Sequence, residues 1–260
     1  MTPVFLKTHP ACVSYGILHE LVEMSGFRTL SEDSVREENT CYIGTLHSCI
    51  NLSGNKGRFV KWFLERPAIT GDCATLFNAM RTNGIDEVWV SDKAIYNRHK
   101  ESVRFVPIGS HEKLSGVSDV KEYDIAHMSF LNNRRSVLNS INCIKTPNTY
   151  NIRLRSEILS KTKFLLNIHQ FEDQCSEPLR FALAAAAGIP IISEICEDPY
   201  PYEAPGIIQV PYRDIVGITE RMVREDYAKY REIGMNQRER ILVNFNFRDN
   251  ILKAVAAITK

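Results

Sequence analysis

Short apolar runs alternate with amphipathic helical segments along almost the whole chain. The runs at residues 87–90 and 164–168 have the length of strands, and helical patterns at residues 72–81 and 177–187 follow such runs. Strands of a parallel sheet are buried on both faces, so they read as continuous apolar runs, and helices connect them. The pattern therefore predicts an α/β fold in which helices cover parallel sheets.

The same pattern places the individual elements. Residues 214–260 read as helical, with interruptions expected at Gly234 and Asn244, and Ser91 is expected to cap the helix that runs to His99. The remaining predicted strands are 4–7, 41–46, 58–64, 103–106, 123–130, 190–193 and 207–211, and the remaining predicted helices are 12–24, 134–141 and 152–160.

The alternation breaks after the strand at 103–106. Pro107 and Gly109 turn out of that strand into a stretch rich in Ser, Lys and Asp, a composition typical of a linker. We therefore predict two Rossmann-like lobes, at residues 1–108 and 109–240, and a C-terminal helix at 241–260. The apolar residues of that helix recur at about helical spacing, at Phe245, Phe247, Ile251, Leu252 and Val255.

Composition and charge exclude some classes of protein. The 32 Lys and Arg and 31 Asp and Glu residues leave a formal net charge of +1, so the whole chain is not a polycation for nucleic acid or anionic lipid. The seven cysteines form no CxxC pair, which favours free thiols in a reducing compartment. No signal-peptide pattern opens the chain, and the longest apolar stretch, 181–192, is shorter than the ~20 residues of a membrane span. We expect a cytoplasmic protein, in the host cytoplasm if the chain is viral.

The most informative stretch runs from residue 164 to residue 194. A buried strand ends at His169, and a polar loop leads to a helix whose start is marked by Ser176, Glu177 and Pro178. Ligands of open α/β sheets bind at such carboxyl ends of strands. Free N–H groups and the positive end of the helix dipole would stabilise a diphosphate there, and Glu177 would accept hydrogen bonds from ribose hydroxyls. An ordinary capped helix, in which Glu177 only complements the dipole, explains this residue equally well.

Together these segments resemble the GT-B glycosyltransferases, in particular the group-1 glycosyltransferase superfamily. The similarity lies in the acidic helix start, the Ala-rich helix that follows and the strand that Gly188 and Pro190 introduce. Residues 103–111 are similar to the strand and Pro-x-Gly turn that open the donor lobe, and residues 123–135 look like its first strand and arginine-bearing loop. The first half of the chain matches only in general layout. The resemblance implies a nucleotide-diphosphate sugar as donor, without a cofactor or a metal ion. It also implies that the C-terminal helix at 241–260 returns toward the first lobe.

The chain departs from the superfamily at one functional position. The superfamily carries two glutamates at a fixed spacing, and counting back from Gly188 places Leu183 at the second position and Cys175 near the first. Glu177 is the one residue here that can take the role of these glutamates, and it stands in a shifted register. Retention or inversion of anomeric configuration therefore stays open.

The resemblance also implies the other residues of the donor site. Arg134 and Arg135 follow a strand at the position from which such enzymes reach the donor diphosphate, and a guanidinium makes bidentate contacts to phosphate oxygens. His169 ends a strand at the same edge of the sheet. The predicted donor-binding residues are Arg134, Arg135, His169, Ser176, Glu177, Arg180 and Glu194.

In the first lobe, the loops after two strands supply the candidates for catalysis. GT-B enzymes often place a general base in the first of these loops, where His9 is suited to the task, and Glu65 is the competing carboxylate. Ser14, Tyr15 and Gly16 open the first helix and are expected on the acceptor side. A loop residue without a role in chemistry is the alternative for both His9 and Glu65.

Three functions are compatible with these observations. The favoured one is transfer of a sugar to an acceptor hydroxyl of a glycan, a protein or a modified nucleobase, so nucleic acid stays open as an acceptor. An NAD or other sugar-nucleotide enzyme is less well supported, because no Gly-x-Gly-x-x-Gly follows a predicted strand. The third is a non-catalytic nucleotide-binding or assembly module with a degenerate GT-B fold. The sequence does not indicate the oligomeric state.

Overall fold

The structure, a computed structural model, forms two compact units. It describes residues 1–7, 16–31, 37–45, 48, 56–64, 73–128, 134–142, 144–145, 152–169 and 176–258, with the backbone alone for residues 134–136, 144–145 and 152. We refer to these as the described residues. The first unit consists of Met1–Ile108 and Phe247–Lys260, and the second of Gly109–Asn246.

The elements alternate along the chain, as the apolar pattern predicts. The strands are β1 (Thr2–Leu6), β2 (Arg28–Leu30), β3 (Thr40–Thr45), β4 (Arg58–Phe63), β5 (Glu87–Val90), β6 (Arg104–Phe105), β7 (Tyr123–His127), β8 (Ile144–Lys145), β9 (Thr162–Asn167), β10 (Ile191–Glu194) and β11 (Ile207–Val210). The α-helices are α1 (Gly16–Met24), α2 (Cys73–Thr82), α3 (Lys93–Arg98), α4 (Ile152–Ser160), α5 (Pro178–Ala187), α6 (Ile215–Arg224), α7 (Tyr227–Asn244) and α8 (Phe247–Ile258). Short 3₁₀ helices lie at Glu112–Leu114, Arg134–Ser140 and Tyr212–Asp214.

Both units contain a parallel sheet, so the predicted α/β class with two Rossmann-like lobes is confirmed. The sheet of the first unit has six strands in the order β2-β1-β3-β4-β5-β6, and that of the second has five in the order β11-β10-β9-β7-β8. All the strand pairs are parallel. The loops that follow neighbouring strands of one sheet therefore meet at one edge.

Helix α8 supplies part of the core of the first unit. It packs against β1, and its first residue, Phe247, is fully buried. The ring of Phe247 lies 6.3 Å from that of Phe5 and 6.2 Å from that of Trp62, measured between ring centroids. Aromatic pairs at these distances add to the free energy gained from burial alone. Residues at the end of the chain thus complete a core that the first strand begins.

The cap of α3 differs from the prediction. Ser91 is buried, and its hydroxyl accepts a hydrogen bond from Trp62 Nε1 at 2.8 Å and donates one to the carbonyl of Val106 at 2.9 Å. Because that hydroxyl is engaged, Asp92 caps the helix instead. Its Oδ1 accepts a hydrogen bond from the N–H of Ile95 at 2.9 Å. The prediction that Ser91 caps this helix is therefore wrong by one residue.

The helical end of the chain also differs from the prediction. The first break lies between α6 and α7, where Asp226 caps α7 through the N–H of Ala228. Gly234 does not interrupt the chain but lies inside α7. A Cβ atom at this position would stand 2.4 Å from the carbonyl oxygen of Gly188. Gly234 is there because α7 crosses the end of α5 too closely for any side chain.

The second glycine of this contact, Gly188, ends helix α5. Gly188 has a positive φ of 65°, and its N–H closes the last turn of the helix on the carbonyls of Ala184 and Ala185. Only glycine adopts this left-handed conformation without strain. The chain can then turn at once into β10. No α-helix among the described residues has both the length and the apolar character that a bilayer crossing requires.

We predict that Gly234→Ala lowers the free energy of unfolding by about 1–3 kcal/mol, because its methyl group would overlap the backbone at Gly188. The matched control is Gly217→Ala within α6, where an added Cβ meets nothing within 4 Å. This control is expected to be neutral or to stabilise by up to ~1 kcal/mol, the helix-propensity difference. Thermal or urea unfolding measures both; equal effects of the two substitutions would contradict the packing argument.

Candidate functional site

Polar side chains cluster at the carboxyl edge of the second sheet, where β9 and β10 end. The two strands are paired so that Asn167 stands opposite Ser193. Both residues are fully buried, and each directly follows two apolar residues of its strand. Buried polar groups cost free energy unless they are hydrogen-bonded, so both side chains are expected to have hydrogen-bond partners at this edge.

A chain of hydrogen bonds joins three elements at this edge. The amide Nδ2 of Asn167 donates to Ser193 Oγ at 3.0 Å, and Ser193 Oγ donates to the carbonyl of Glu194 at 2.8 Å. On the other side, Arg180 in the first turn of α5 donates to Asn167 Oδ1. A guanidinium can only donate, so it also fixes which way the Asn167 amide faces.

Arg180 also pairs with Glu177 at the start of α5. Their side chains are only 12% and 13% exposed, and the guanidinium contacts both carboxylate oxygens. Glu177 stands at the N-cap position, but its side chain makes no capping hydrogen bond there. The alternative that Glu177 only complements the helix dipole stays open. The Glu177 carboxylate belongs to an ion pair three residues apart on one helix face.

The start of α5 offers fewer backbone donors than expected from sequence. The N–H groups of Arg180 and Phe181 both donate to the carbonyl of Glu177, and Pro178 has no N–H group. Of the first-turn residues, Leu179 thus keeps an N–H group that no helical carbonyl can reach. An anion at this position would be stabilised by the helix dipole more than by a cradle of N–H groups.

His169 and Glu194 connect the loops that follow β9 and β10. The backbone N–H of His169 donates to Glu194 Oε2 at 2.8 Å, and both residues are buried. The imidazole Nε2 of His169 lies 3.8 Å from the thiol sulfur of Cys196. The backbone N–H of Cys196 donates to Gln209 Oε1 at 2.6 Å, so β11 contributes to the same edge.

The structure brings together five of the seven predicted donor-site residues. His169, Glu177, Arg180 and Glu194 take part in the contacts above, and Ser176 is buried directly before Glu177. The other two, Arg134 and Arg135, begin the 3₁₀ helix that follows β7, and their side chains lie outside the described residues.

The predicted first-lobe residues are described only at one position. His9, Ser14, Tyr15 and Glu65 lie outside the described residues, and Gly16 is the first residue of α1. Their predicted roles stay predictions.

Sequence reasoning missed Asn167, Ser193 and Cys196. Asn167 and Ser193 are polar residues at the ends of apolar strands, which is a signal that can be read from the sequence. Their pairing cannot be predicted from the sequence, because it depends on the register between β9 and β10. Among the described residues, no three His, Cys, Asp or Glu side chains are grouped to hold a metal ion.

A cleft of about 540 Å³ lies elsewhere, at the amino ends of β5 and β6 in the first unit. It is lined by charged residues, but Arg104 binds Glu87 through two hydrogen bonds of 2.8 Å and 2.6 Å. Burial alone would raise the pKa of Glu87, but the hydrogen bonds from Arg104 and Trp89 outweigh it and lower that pKa. Lys93 stands 4.4 Å from the ring centroid of Tyr96. Glu87, Lys93 and Arg104 are thus engaged within the unit, and no predicted site residue is among the described residues that line this cleft.

Comparison with known proteins identifies the fold. No protein-family model matches the chain, and no curated protein resembles it in sequence. Solved structures do match. TarM superposes with a TM-score of 0.57 at 11% identity, covering 85% of this chain and 55% of TarM. The structure of accessory secretory proteins 1, 2 and 3 from Streptococcus pneumoniae gives a TM-score of 0.54 at 11% identity, covering 87% of this chain and 55% of that one.

A further match is the glycosylation-associated Gap123 complex from Streptococcus agalactiae, with a TM-score of 0.53 at 8% identity, covering 87% of this chain and 55% of that one. These likenesses confirm the GT-B fold that the sequence resemblance predicts. The chain spans little more than half the length of each of these structures. Identities this low establish the fold alone.

We predict that Ser193→Ala lowers the free energy of unfolding by about 1–3 kcal/mol, because it deprives the buried Asn167 amide of its acceptor. The control is Ser140→Ala at an exposed position, expected to change stability by less than ~0.5 kcal/mol. Urea titration followed by tryptophan fluorescence or circular dichroism gives both values. An unchanged midpoint for Ser193→Ala would show that the hydrogen-bond chain contributes nothing to stability.

Proposed function

We propose that the chain is a glycosyltransferase that moves a sugar from a nucleotide-diphosphate sugar to an acceptor hydroxyl. The GT-B fold supports the class of reaction, and the largely buried Glu177–Arg180 pair at the carboxyl edge of the second sheet carries the proposal. A fold needs no ion pair where a strand end meets a helix start, and removing two charges from water is costly. Open α/β sheets bind their ligands at this edge.

Each part of the edge has a proposed role in holding the donor. The carboxylate of Glu177 accepts hydrogen bonds from the ribose hydroxyls, and the positive end of the α5 dipole faces the diphosphate. The carboxyl end of β7 lies at the same edge, because β7 pairs with β9 in parallel. Arg134 and Arg135 follow β7 in the chain and are the proposed diphosphate ligands. His169, Ser176 and Glu194 line the base of the site.

The proposed chemistry depends on charge that develops in the leaving group. As the bond between the sugar and the diphosphate breaks, negative charge grows on the diphosphate, and a cation fixed beside it stabilises the transition state more than the ground state. The acceptor hydroxyl needs a general base, for which His9 and Glu65 in the first unit are the candidates. Ser14, Tyr15 and Gly16 are proposed to contact the acceptor, and no metal ion is required.

Two observations favour a second function. Leu183 stands where the group-1 superfamily has its second glutamate, and it is fully buried within α5. One of the solved structures that the chain resembles, Gap123, is a complex. A module that binds a nucleotide or a partner protein without transferring sugar is therefore the alternative.

The experiment that separates the two is a donor assay. The purified protein is incubated with UDP-, GDP-, ADP- and CMP-linked sugars, and the release of free nucleotide is followed with and without a chelator. Release above the uncatalysed rate, unaffected by the chelator, supports the enzyme. Nucleotide binding without any release supports the non-catalytic module.

We predict that Glu177→Ala weakens binding of the cognate nucleoside diphosphate by about 1–3 kcal/mol, the value of a hydrogen bond to a charged group. Isothermal titration calorimetry with UDP, GDP and ADP measures the effect. The control is Glu239→Ala on the exposed side of α7, which should bind as the unaltered protein does. If Glu177→Ala is folded and binds with unchanged affinity, the assignment of this carboxylate to the donor is refuted.

We predict that replacing Arg134 or Arg135 by Ala lowers kcat by ~10²–10³-fold for whichever of the two contacts the diphosphate. We expect stability to change by less than ~0.5 kcal/mol, the usual limit for a surface substitution. Replacing each residue by Lys keeps the charge but removes the bidentate fork, so partial recovery would show which property matters. Wild-type turnover by the Ala double mutant would mean that the diphosphate is neutralised elsewhere.

A further inference from the structure

We infer that Cys196 is a redox-sensitive thiol: His169 holds it in the thiolate form, and a hydroperoxide converts it to a sulfenic acid. The two residues follow β10 and β9, at the carboxyl edge of the second sheet. The thiol has no part in the proposed sugar transfer, so its reactivity does not depend on that proposal.

The two side chains form a pair of a nucleophile and a base. The imidazole Nε2 of His169 lies 3.8 Å from Cys196 Sγ, a hydrogen-bond distance for sulfur. Both residues are 3% exposed. A histidine at this distance can take the thiol proton, and the imidazolium that results stabilises the thiolate, which is the nucleophilic form of cysteine.

Hydrogen bonds to the backbone hold both partners in place. The N–H of His169 donates to Glu194 Oε2 at 2.8 Å, and the N–H of Cys196 donates to Gln209 Oε1 at 2.6 Å. Glu194 therefore brings a carboxylate next to His169, and a negative charge there favours the imidazolium form of the ring. Gln209, which β11 contributes, adds no charge.

The protonated thiol has a competing partner. Sγ lies 3.5 Å from the carbonyl oxygen of Glu194, to which a neutral thiol can donate, and 3.7 Å from Ser193 Oγ. A thiolate cannot donate, but it accepts a hydrogen bond from the imidazolium of His169. Hydrogen bonds between charged groups are roughly twice as strong as those between neutral groups, so the thiolate form is favoured.

The reaction with a hydroperoxide balances without any further reactant. The thiolate sulfur attacks one peroxide oxygen and forms an S–O bond, while the O–O bond breaks. The leaving oxygen takes the proton of the His169 imidazolium and departs as water, or as an alcohol from an organic hydroperoxide. The sulfur loses two electrons and becomes a sulfenic acid, and the peroxide gains them. The added oxygen lies beside His169, at the base of the proposed donor site.

Hydrogen peroxide, which is little larger than water, can reach this thiol. The residues on either side of Cys196, Ile195 and Glu197, are both exposed, so Sγ lies directly beneath the surface. Cys41 is the opposite case. It is fully buried within β3, and burial raises the pKa of its thiol to about 12. Cys41 should therefore stay reduced and serves as an internal control.

The test measures the oxidation rate of each cysteine as a function of pH. The full chain is treated briefly with hydrogen peroxide at pH 6 and at pH 8, denatured and alkylated, and mass spectrometry gives the loss of thiol at each position. Only thiolates react, so an unassisted thiol with a pKa of about 8.5 slows by roughly 80-fold from pH 8 to pH 6. The rate at Cys196 should fall by less than about 5-fold, and dithiothreitol should restore the thiol.

Two histidine variants test the role of the base. His169→Gln removes the imidazole but keeps a polar side chain of similar size. In this variant Cys196 should regain the steep pH dependence, and at pH 6 it should react about 10-fold more slowly than in the unaltered protein. The matched control is His111→Gln, which alters the cap of the 3₁₀ helix at Glu112–Leu114 and should leave the rate at Cys196 unchanged. If His169→Gln does not fold, the pH profile of the unaltered protein still decides.

Three results would overturn the assignment. They are a Cys196 that stays reduced at both pH values, a rate at Cys196 that falls as steeply as that of an unassisted thiol, and equal pH profiles in the unaltered protein and in His169→Gln. Each would mean that the thiol keeps its proton, as a donor to the Glu194 carbonyl. A failed donor assay, by contrast, would refute the proposed sugar transfer and leave these rates as they are.

Discussion

The second unit depends on one helix that is buried on every side. Nearly every residue of α5 is buried, and the helix contacts α4 and α7 as well as the 3₁₀ helix at Glu112–Leu114. Its run of four alanines lets neighbouring backbones approach closely, and Gly188 and Gly234 remove the last side chains from the crossing with α7. Close packing of this kind leaves little room to shift or rotate the helix.

A helix fixed so tightly presents its first turn at a defined place. The polar residues of α5 are confined to that turn, since from Phe181 onward every residue is apolar. Arg180 and Glu177 consequently lie at the end of β9, the middle strand of the sheet, where Arg180 donates to Asn167. The packing of the apolar part of the helix thus also holds its polar first turn in place. A ligand at this edge would contact groups that are already ordered.

The parts of this arrangement that depend on neighbouring residues could be predicted from the sequence. The alternation of apolar runs indicates the parallel sheets, and the pairing of Glu177 with Pro178 marks the start of α5. Features that depend on distant residues could not be predicted in this way. Asn167 and Ser193 become partners only through strand register, and Ser91 loses its capping role only because the indole of Trp62 reaches it. The inward turn of Arg180 belongs to the same class, because it requires Asn167 at the end of another element.

The division of the chain also bears on how the protein folds as it is synthesised. The second unit is one continuous segment, and its ends are held together, with Ser110 in a β-bridge to Asn246. The first unit is interrupted by it, and Phe247 fills a place among the rings of Phe5 and Trp62. On the ribosome the second unit can therefore close as soon as it emerges, since domains generally fold as units during synthesis. The first unit is synthesised earlier, but its aromatic core stays incomplete until α8 follows. During that interval its apolar residues are exposed, so we expect chaperones to bind the amino-terminal half.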